Sequence, residues 1–361
     1  TCPARILVEY GFEGLHIRRK HDLGCDIVRH GRHRDRGRSP HAHARVKSID
    51  ATRALALKGV KAVVTSADFT QPAGKLADLG EGAMTNSKWI SNNCMAAEKA
   101  LYRGHAVAAV AATSLHVAEE ALSLIDVNYE VLPAVTDVLD AMKNDAPVLH
   151  ERLANVENAD IRPGGLRDEN DNGKVTNIAN HFVYEVGDPS QRFKEAHVIV
   201  EREFRTATVH QGYIEPHAAT AMWGKDGKLT IWSSSQGHFQ MRDLTSIVLG
   251  IPVSQMKVIP MEIGGGFGGK TVTYIEPVAA ALSKKAGRPV KVSMDRSEVF
   301  EGTGPTSGSF IRVKIGTDKE GMITGADITM MYEAGGFPGS PINQACQCVL
   351  APYNIANGRI E

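Results

Sequence analysis

Apolar positions in the first part of the chain follow the short periods of alternating strands and helices. We predict, in chain order, a strand over residues 46–50, a helix over 51–58, strands over 60–65 and 105–112, a helix after residue 114 and a strand over 125–131. Gly59 is suited to end the first helix, and Ser114 is suited to cap the second. A strand, a helix and a strand in succession form a βαβ unit, so this region is α/β in character.

The second half of the chain resumes a regular pattern at residue 181. We predict strands over residues 198–205, 229–235, 256–263 and 290–294, helices over 239–249 and 276–286, and a hairpin from 310–315 and 322–332. Gly250 and Gly287 stand where the two helices would end, and Pro277 is compatible with a first helical turn.

Two segments lack such a pattern. Residues 133–177 are poor in apolar residues and rich in Asn and Gly, which predicts a long linker with a domain boundary near 140–175. Residues 18–45 are dense in Arg and His and follow neither a strand period nor a helix period. A solvated basic tail is the simplest interpretation of that stretch, and a His-rich metal-binding tract is an alternative.

Composition and charge narrow the class of protein. The chain has 361 residues, which suits two or three domains, and its 42% hydrophobic content is typical of a globular protein. Lys and Arg together number 41, as do Asp and Glu, so a net charge of zero gives no reason to expect a nucleic-acid partner. No run of about eighteen apolar residues and no secretory signal are present. We therefore expect a cytoplasmic protein with no membrane span.

Cysteine usage agrees with a reducing compartment. The cysteines are Cys2, Cys25, Cys94, Cys346 and Cys348, and none belongs to a C-x-x-C pair. We therefore expect neither a disulfide framework nor an iron–sulfur or structural zinc site held by this chain alone.

The segment GGGFGGKT at residues 264–271 is the strongest local signal. Its glycines let backbone N–H groups approach a ligand and form an anion-binding nest. The spacing satisfies G-x-x-x-x-G-K-S/T, the P-loop of nucleotide-binding proteins, with a predicted strand before it and a helix after it. Two features count against this interpretation. Pro277 interrupts that helix early, and no convincing apolar strand ending in Asp follows the loop, since Lys291 interrupts the nearest candidate at residues 290–295. A tight turn whose glycines serve only packing is a third interpretation.

The motifs around the loop resemble those of one family. QGYIEPHAA occupies residues 211–219, WSSSQ ends at Gln236, LGIP at 249–252 leads into the loop, GRPV at 287–290 and Asp295-Arg296 follow it, and RSPHAHA stands at 38–44. In this order they resemble the molybdopterin-binding large subunit of the xanthine dehydrogenase/aldehyde oxidase family, over about residues 38–361. In that family the GGGFGGK loop holds the molybdopterin cofactor.

The resemblance implies an α+β fold with four segments. Residues 38–140 would form the α/β-hammerhead domain, 141–175 a linker, and 176–361 the first molybdopterin-binding domain, which is truncated relative to the family. Residues 1–37 form an atypical basic lead, for which our hypothesis is a reading-frame error upstream of Arg38 in the source gene. That hypothesis predicts that a shifted frame of the DNA encodes the family's strand-rich lead.

The resemblance also implies roles for single residues. Gln236 corresponds to the glutamine beside the molybdenum, and Phe267 to the residue whose backbone N–H approaches an oxygen on the metal. The implied cofactor-binding residues are Gln236, Gly265, Gly266, Phe267 and Gly268. A polar residue that caps the following helix is the alternative interpretation of Gln236.

Three neighbouring residues complete this set of expectations. We interpret Glu215 and His217, from the matching Y-I-E-x-H stretch, as structural supports of the site. Thr271 stands on the substrate side, where xanthine-oxidising members carry a glutamate, and this departure weakens any claim on xanthine.

For the complete protein, the resemblance implies hydroxylation of an aldehyde, an N-heterocycle or another aromatic substrate, with water as the oxygen source. We expect no catalytic residue on this chain, because the family's general-base glutamate lies in a part that the sequence does not cover. The resemblance places 2Fe-2S clusters and FAD on partner subunits, a small iron–sulfur subunit and an FAD subunit. Two alternatives remain: a non-catalytic truncated fragment, and a P-loop nucleotide-binding protein acting through Gly264 to Thr271.

Overall fold

The computed structural model describes residues 26–28, 37–71, 76–78, 84–151, 176–179, 181, 183–337 and 340–361. The strands are β1 Asp26–Val28, β2 Ala44–Asp50, β3 Val60–Thr65, β4 Leu76–Asp78, β5 Met84–Asn86, β6 Lys99–Ala100, β7 Ala108–Ala112, β8 Asp126–Val131, β9 Tyr184–Val186, β10 Val198–Thr206, β11 Ala218–Trp223, β12 Leu229–Ser233, β13 Met256–Pro260, β14 Val290–Ser293, β15 Ser309–Thr317, β16 Ile323–Tyr332 and β17 Gly358–Ile360. The helices are α1 Thr52–Ala56, α2 Ser87–Cys94, α3 Leu115–Ser123, α4 Val138–Ala141, α5 Pro189–Glu195, α6 His238–Leu249, α7 Glu276–Ala286, α8 Arg296–Gly302 and α9 Ile342–Cys348.

The strands form one large sheet and three smaller ones, which gives the predicted mixture of helices and sheets. A seven-stranded sheet has the order β13-β12-β11-β14-β1-β7-β3, and a five-stranded sheet has the order β10-β15-β16-β17-β9. A three-stranded sheet, β6-β2-β8, and the pair β4-β5 complete the set. The seven-stranded sheet takes strands from both sides of the predicted linker.

The largest core lies between the seven-stranded sheet and α7. All residues of this helix from 276 to 283 are buried, including Val278 and Leu282. The indole Nε1 of Trp223, at the end of β11, donates a hydrogen bond to the Ala280 carbonyl at 2.9 Å. The same cluster takes in Leu229 and Ile231 of β12, so the strand that precedes Gln236 is anchored in the core.

Several predicted elements are confirmed. Helix α7 has the predicted bounds, and both α6 and α7 end at a glycine in the left-handed conformation, Gly250 and Gly287, each with φ of 65°. Ser114 caps α3 by accepting the Val117 N–H at 3.3 Å. Strands β15 and β16 form the predicted antiparallel hairpin.

The predicted βαβ unit is wrong. Strands β7 and β8 flank α3, but β7 pairs antiparallel with β3 in the seven-stranded sheet, whereas β8 pairs antiparallel with β2 in the three-stranded sheet. Every residue of β7 is buried, while Asp126, Asn128 and Glu130 of β8 alternate with less polar residues. Because a strand with one polar face requires solvent on that side, β8 is unsuited to the doubly covered sheet that contains β7.

Some strand ends also differ from prediction. Strand β7 begins at Ala108, and His105 precedes it with a fully buried ring. Strands β12 and β13 end at Ser233 and Pro260, which face each other in the last pair of their ladder. Proline has no N–H to continue a ladder, so the chain leaves the sheet earlier than the apolar pattern indicates.

Further expectations concern the segments without a pattern. Most of the basic lead, residues 1–25 and 29–36, and residues 152–175 of the predicted linker lie outside the described residues. The short strand β1 inside that lead was not predicted; it pairs parallel with β14. Among the described residues, no helix has the length and apolar character needed to cross a membrane.

Candidate functional site

The glycine loop lies at one edge of the seven-stranded sheet. Strands β12 and β13 are parallel neighbours, so their carboxyl ends meet at the same edge. Gln236 follows β12, and residues 264–271 follow β13. The two segments are joined where the Gln236 N–H donates to the Lys270 carbonyl at 3.0 Å. The sheet therefore brings together the glutamine and the loop that the sequence singled out.

The Gln236 side chain holds the turn of the loop. Its Oε1 accepts the N–H groups of Gly268 at 2.9 Å and of Lys270 at 3.1 Å. Two N–H donors require the amide oxygen at this position, and this fixes the orientation of the side chain. The Nε2 group of this exposed residue is therefore the one that would donate a hydrogen bond to a ligand.

Two of the loop glycines are required by geometry. A Cβ on Gly266 would lie 2.4 Å from Gln236 Oε1, so the close contact between loop and glutamine depends on the missing side chain. Gly268 has φ of 91° and open space where its Cβ would stand. Phe267 between them also has a positive φ, 49°, and its ring is 73% exposed. The loop thus presents backbone rather than side chains at the 268 position.

Glu215 and Lys270 form an ion pair beneath the loop. Glu215 Oε2 lies 2.8 Å from Lys270 Nζ, and the lysine side chain is completely buried. The same carboxylate oxygen accepts the Gly264 N–H at 2.7 Å. Lys270 Nζ also lies 5.1 Å from the centre of the Tyr213 ring, within the range of a cation–π contact.

This arrangement differs from that of a P-loop. A P-loop lysine reaches the phosphates of a nucleotide, and the helix starts directly after it. Here Lys270 is turned away into its pair with Glu215, and α7 begins only at Glu276. The geometry therefore gives no support to the nucleotide-binding alternative.

A buried polar chain supports the segment on which the loop rests. The Tyr213 hydroxyl lies 2.7 Å from His217 Nε2 and 3.3 Å from Thr303 Oγ1. Burial, followed by the nearby Lys270 charge, lowers the pKa of His217 to about 3, so this imidazole is neutral at physiological pH. Arg296, at the start of α8, donates to the Tyr213 carbonyl at 2.7 Å and also to the Ile214 carbonyl. Sequence reasoning assigned no role in the site to Tyr213, Thr303 or Arg296, although Tyr213 lies in the Y-I-E-x-H stretch and Arg296 in the Asp295-Arg296 motif.

Thr271 closes the loop on its C-terminal side. Its Oγ1 donates to the Gly268 carbonyl at 2.8 Å. Gly265 lies at the other side of the turn, where an added Cβ would be 3.1 Å from Tyr213 Cβ. Every residue that the sequence predicted for cofactor binding thus lies in the loop or bonds directly to it. Among the described residues, no group of three or more His, Cys, Asp or Glu is placed to hold a metal ion.

Comparison with known families gives two matches that cover most of the chain. Residues 171–361 match the family model described as "Molybdopterin cofactor-binding domain". Residues 25–133 match the model described as "Aldehyde oxidase and xanthine dehydrogenase, a/b hammerhead domain". The glycine loop, Gln236 and Glu215 all fall inside the first match.

Individual relatives agree with these matches. The carbon monoxide dehydrogenase large chain of Afipia carboxidovorans is 33% identical over 306 residues, which cover 83% of this chain and 36% of that one. The nicotinate dehydrogenase large molybdopterin subunit of Eubacterium barkeri is 27% identical over 327 residues, which cover 90% of this chain and 69% of that one.

A solved structure of a Cu,Mo-CO dehydrogenase superposes with a TM-score of 0.70 at 28% identity, over 93% of this chain and 41% of that one. With both domain types matched in order along the chain, this protein belongs to the family of molybdenum-binding large subunits that includes xanthine dehydrogenase, aldehyde oxidase and carbon monoxide dehydrogenase.

Proposed function

We propose that this chain is the cofactor-holding part of a molybdenum hydroxylase, which oxidises an aldehyde, an N-heterocycle or another aromatic substrate with water as the oxygen source. The observation that carries the proposal is the double hydrogen bond from the loop to Gln236 Oε1. It fixes an amide donor and a glycine turn side by side at the edge of the sheet. These residues lie in the part of the chain that matches the molybdopterin-binding domain, and they supply polar groups there.

The residues present fit a large anionic cofactor. Gly268 leaves open space on its Cβ side, and Gly266 allows contact with Gln236 that a side chain would prevent. We propose that Gln236 Nε2 and the backbone of Gly265, Gly266, Phe267 and Gly268 hold the cofactor. When bound, the cofactor supplies the redox chemistry, while the protein binds and orients it.

Thr271 limits which substrate we propose. Its hydroxyl proton is engaged with the Gly268 carbonyl, and a threonine carries no charge to pair with a basic substrate. We therefore propose a substrate other than xanthine, because Thr271 replaces the glutamate that xanthine-oxidising members carry at this position.

Electron transfer and proton transfer require groups beyond this chain. We propose that the general-base glutamate lies in further polypeptide of the large subunit, since this chain spans 36% of the Afipia relative. We propose 2Fe-2S clusters and FAD on a small iron–sulfur subunit and an FAD subunit, because the five cysteines here follow no cluster-binding pattern.

The test is molybdenum per chain, measured by mass spectrometry after purification from cells that make molybdopterin, with and without the product of the neighbouring gene. The informative variant is Gly266→Ala. Its Cβ would push the flexible Gln236 amide away, since the nearest atom is the end of that side chain at 2.4 Å. We expect roughly tenfold less molybdenum per chain with an unchanged free energy of unfolding. The variant loses a contact to the cofactor but keeps the core of the fold.

Gly224→Ala is the matched control, since its Cβ would also meet the end of a flexible side chain, Asp226 Oδ1 at 2.4 Å, and Gly224 lies between β11 and β12, at the opposite end of β12 from Gln236. Molybdenum near one per chain in the parent and the control, but not in Gly266→Ala, would support the proposal. Absence of molybdenum from the parent with and without its neighbour would instead favour the non-catalytic fragment.

A further inference from the structure

One carboxylate oxygen ties together the two ends of the glycine loop. Glu215 Oε2 accepts the N–H of Gly264, the first loop residue, at 2.7 Å, and the Nζ of Lys270, near the last, at 2.8 Å. The backbone adds a third bond, from the Glu215 N–H to the Gly264 carbonyl at 3.2 Å. Glu215, which belongs to another segment, thereby links the two ends of the loop.

The two side chains of the ion pair differ in exposure. The Lys270 side chain has 0% of its surface exposed, whereas the Glu215 side chain retains 33%. A buried ammonium group without a partner is strongly unfavourable, so the lysine holds its end of the loop inward only while it is paired with the glutamate. We call this ion pair the clasp, because it holds the loop through the attraction of two charges rather than through general packing.

The segment that carries Glu215 is itself fixed beneath the loop. A Cβ on Gly269 would meet Tyr213 Cε1 at 2.7 Å, and a Cβ on Gly264 would meet Glu215 Cβ at 2.6 Å. Because the loop rests directly on this segment, any change in the clasp is transmitted to the turn at Gly268.

We propose that Glu215 and Lys270 are positioning residues, whose ion pair closes the loop so that Gly268 and Gln236 stand ready for the cofactor. The proposal rests on the proposed function, and it adds two residues that act through the loop rather than on the cofactor. It predicts that the charge of the pair, and not merely the volume of its side chains, decides how well the loop holds its shape.

Three variants separate charge from shape. Glu215→Gln keeps an acceptor for the Gly264 N–H but leaves the buried Lys270 without a counter-charge. Lys270→Met removes the buried charge and leaves Glu215 partly hydrated. The double variant E215Q/K270M has neither charge and keeps the Gly264 bond. Glu195→Gln is the matched control, because Glu195 pairs with Arg192 at an exposed site on α5.

The primary measurement is hydrogen–deuterium exchange of the cofactor-free protein, comparing a peptide over residues 261–271 with one over α7. We expect Glu215→Gln to speed exchange of the loop amides roughly tenfold with α7 unchanged, and the double variant to return them to within about threefold of the parent. Unchanged loop exchange in Glu215→Gln would overturn the proposal, and so would a double variant as fast as Glu215→Gln.

Molybdenum content of the loaded protein is the second measurement. We expect it to fall in Glu215→Gln and to recover in the double variant, in the same order as the exchange rates. Faster loop exchange with full molybdenum occupancy would show that the clasp does not position the site, and would overturn the proposal. If the parent binds no molybdenum, the proposed function fails, while the exchange data still decide whether the pair holds the loop. Should Glu215→Gln also expose α7, Lys270→Met and the double variant decide the result by the same two measurements.

Discussion

The two larger sheets of this molecule differ in how completely they are covered. In the seven-stranded sheet, α7 buries eight successive residues, and the core cluster extends from Ala62 of β3 to Met256 of β13. In the five-stranded sheet, the apolar cluster contains three buried residues, Ile328, Met330 and Ile360, and all residues of β10 are exposed. The glycine loop connects β13 to α7, so the candidate site is built on the covered sheet. Precise backbone geometry is thus carried by the part of the fold with the larger core.

The exposed strand is apolar as well as uncovered. Val200 and Phe204 of β10 face Ile315 and Ile311 of β15 in the ladder, and are therefore on the same face of the sheet. These two side chains are 48% and 54% exposed. The difference between the sheets is consequently one of coverage rather than of composition.

The largest effect should come from matched isoleucines in the two sheets. Ile231 of β12 is fully buried, whereas Ile199 of β10 is 45% exposed. We expect Ile231→Ala to lower the free energy of unfolding by about 2–5 kcal/mol, because it removes buried methyl groups and leaves a cavity. Ile199→Ala should cost about 1 kcal/mol or less, mainly through lost strand propensity. Urea unfolding followed by circular dichroism measures both, and equal losses would refute the contrast in coverage.

The sequence predicted the covered part of the second half well. The ends of α6 and α7 follow from local signals, namely a glycine after each helix and Pro277 in the first turn, and these signals do not depend on the rest of the fold. The pairing of β7 and β8 could not be predicted, because an apolar period shows which face of a strand is buried but not which sheet receives it.

The candidate site shows the same limit. The glycine loop is a local signal in the sequence, Gln236 is assigned by resemblance, and the structure places them in contact. The roles of these residues in cofactor binding stay predictions. The clasp between Glu215 and Lys270 joins positions that are far apart in sequence and follow no period, so only the folded geometry could bring it to notice.

The next effect in size concerns acid stability of the covered region. Burial lowers the pKa of His217 to about 3 and that of His105 to about 4, from an ordinary value of 6.5. His105 is satisfied as a neutral ring, because Nδ1 accepts the Leu101 N–H and Nε2 bonds the Asn92 carbonyl. Below pH 6.5 the unfolded chain binds protons that the folded chain excludes, so the free energy of unfolding decreases as the pH falls from 6.5 toward 4.

Each buried histidine should contribute a slope that approaches about 1.4 kcal/mol per pH unit in that window. Urea midpoints between pH 7.5 and 4.5 measure the combined slope, and His217→Gln should reduce it. His116→Gln is the control, since that side chain is 94% exposed. A slope that survives substitution of both buried histidines would assign the acid sensitivity to other groups.

The smallest effect should arise on the uncovered sheet, where a large apolar side chain can be replaced by a charged one. Phe204 of β10 is 54% exposed, and we expect Phe204→Lys to change the free energy of unfolding by no more than about 0.5 kcal/mol. The same substitution at Phe69, which is 6% exposed in the core beside the seven-stranded sheet, is the reference for a covered position and should lower the free energy of unfolding by about 3–5 kcal/mol, because it buries an unpaired charge. Chemical denaturation of the two proteins measures the contrast. A large loss at Phe204 would mean that this face of β10 is covered in solution, and that the two sheets are alike in burial.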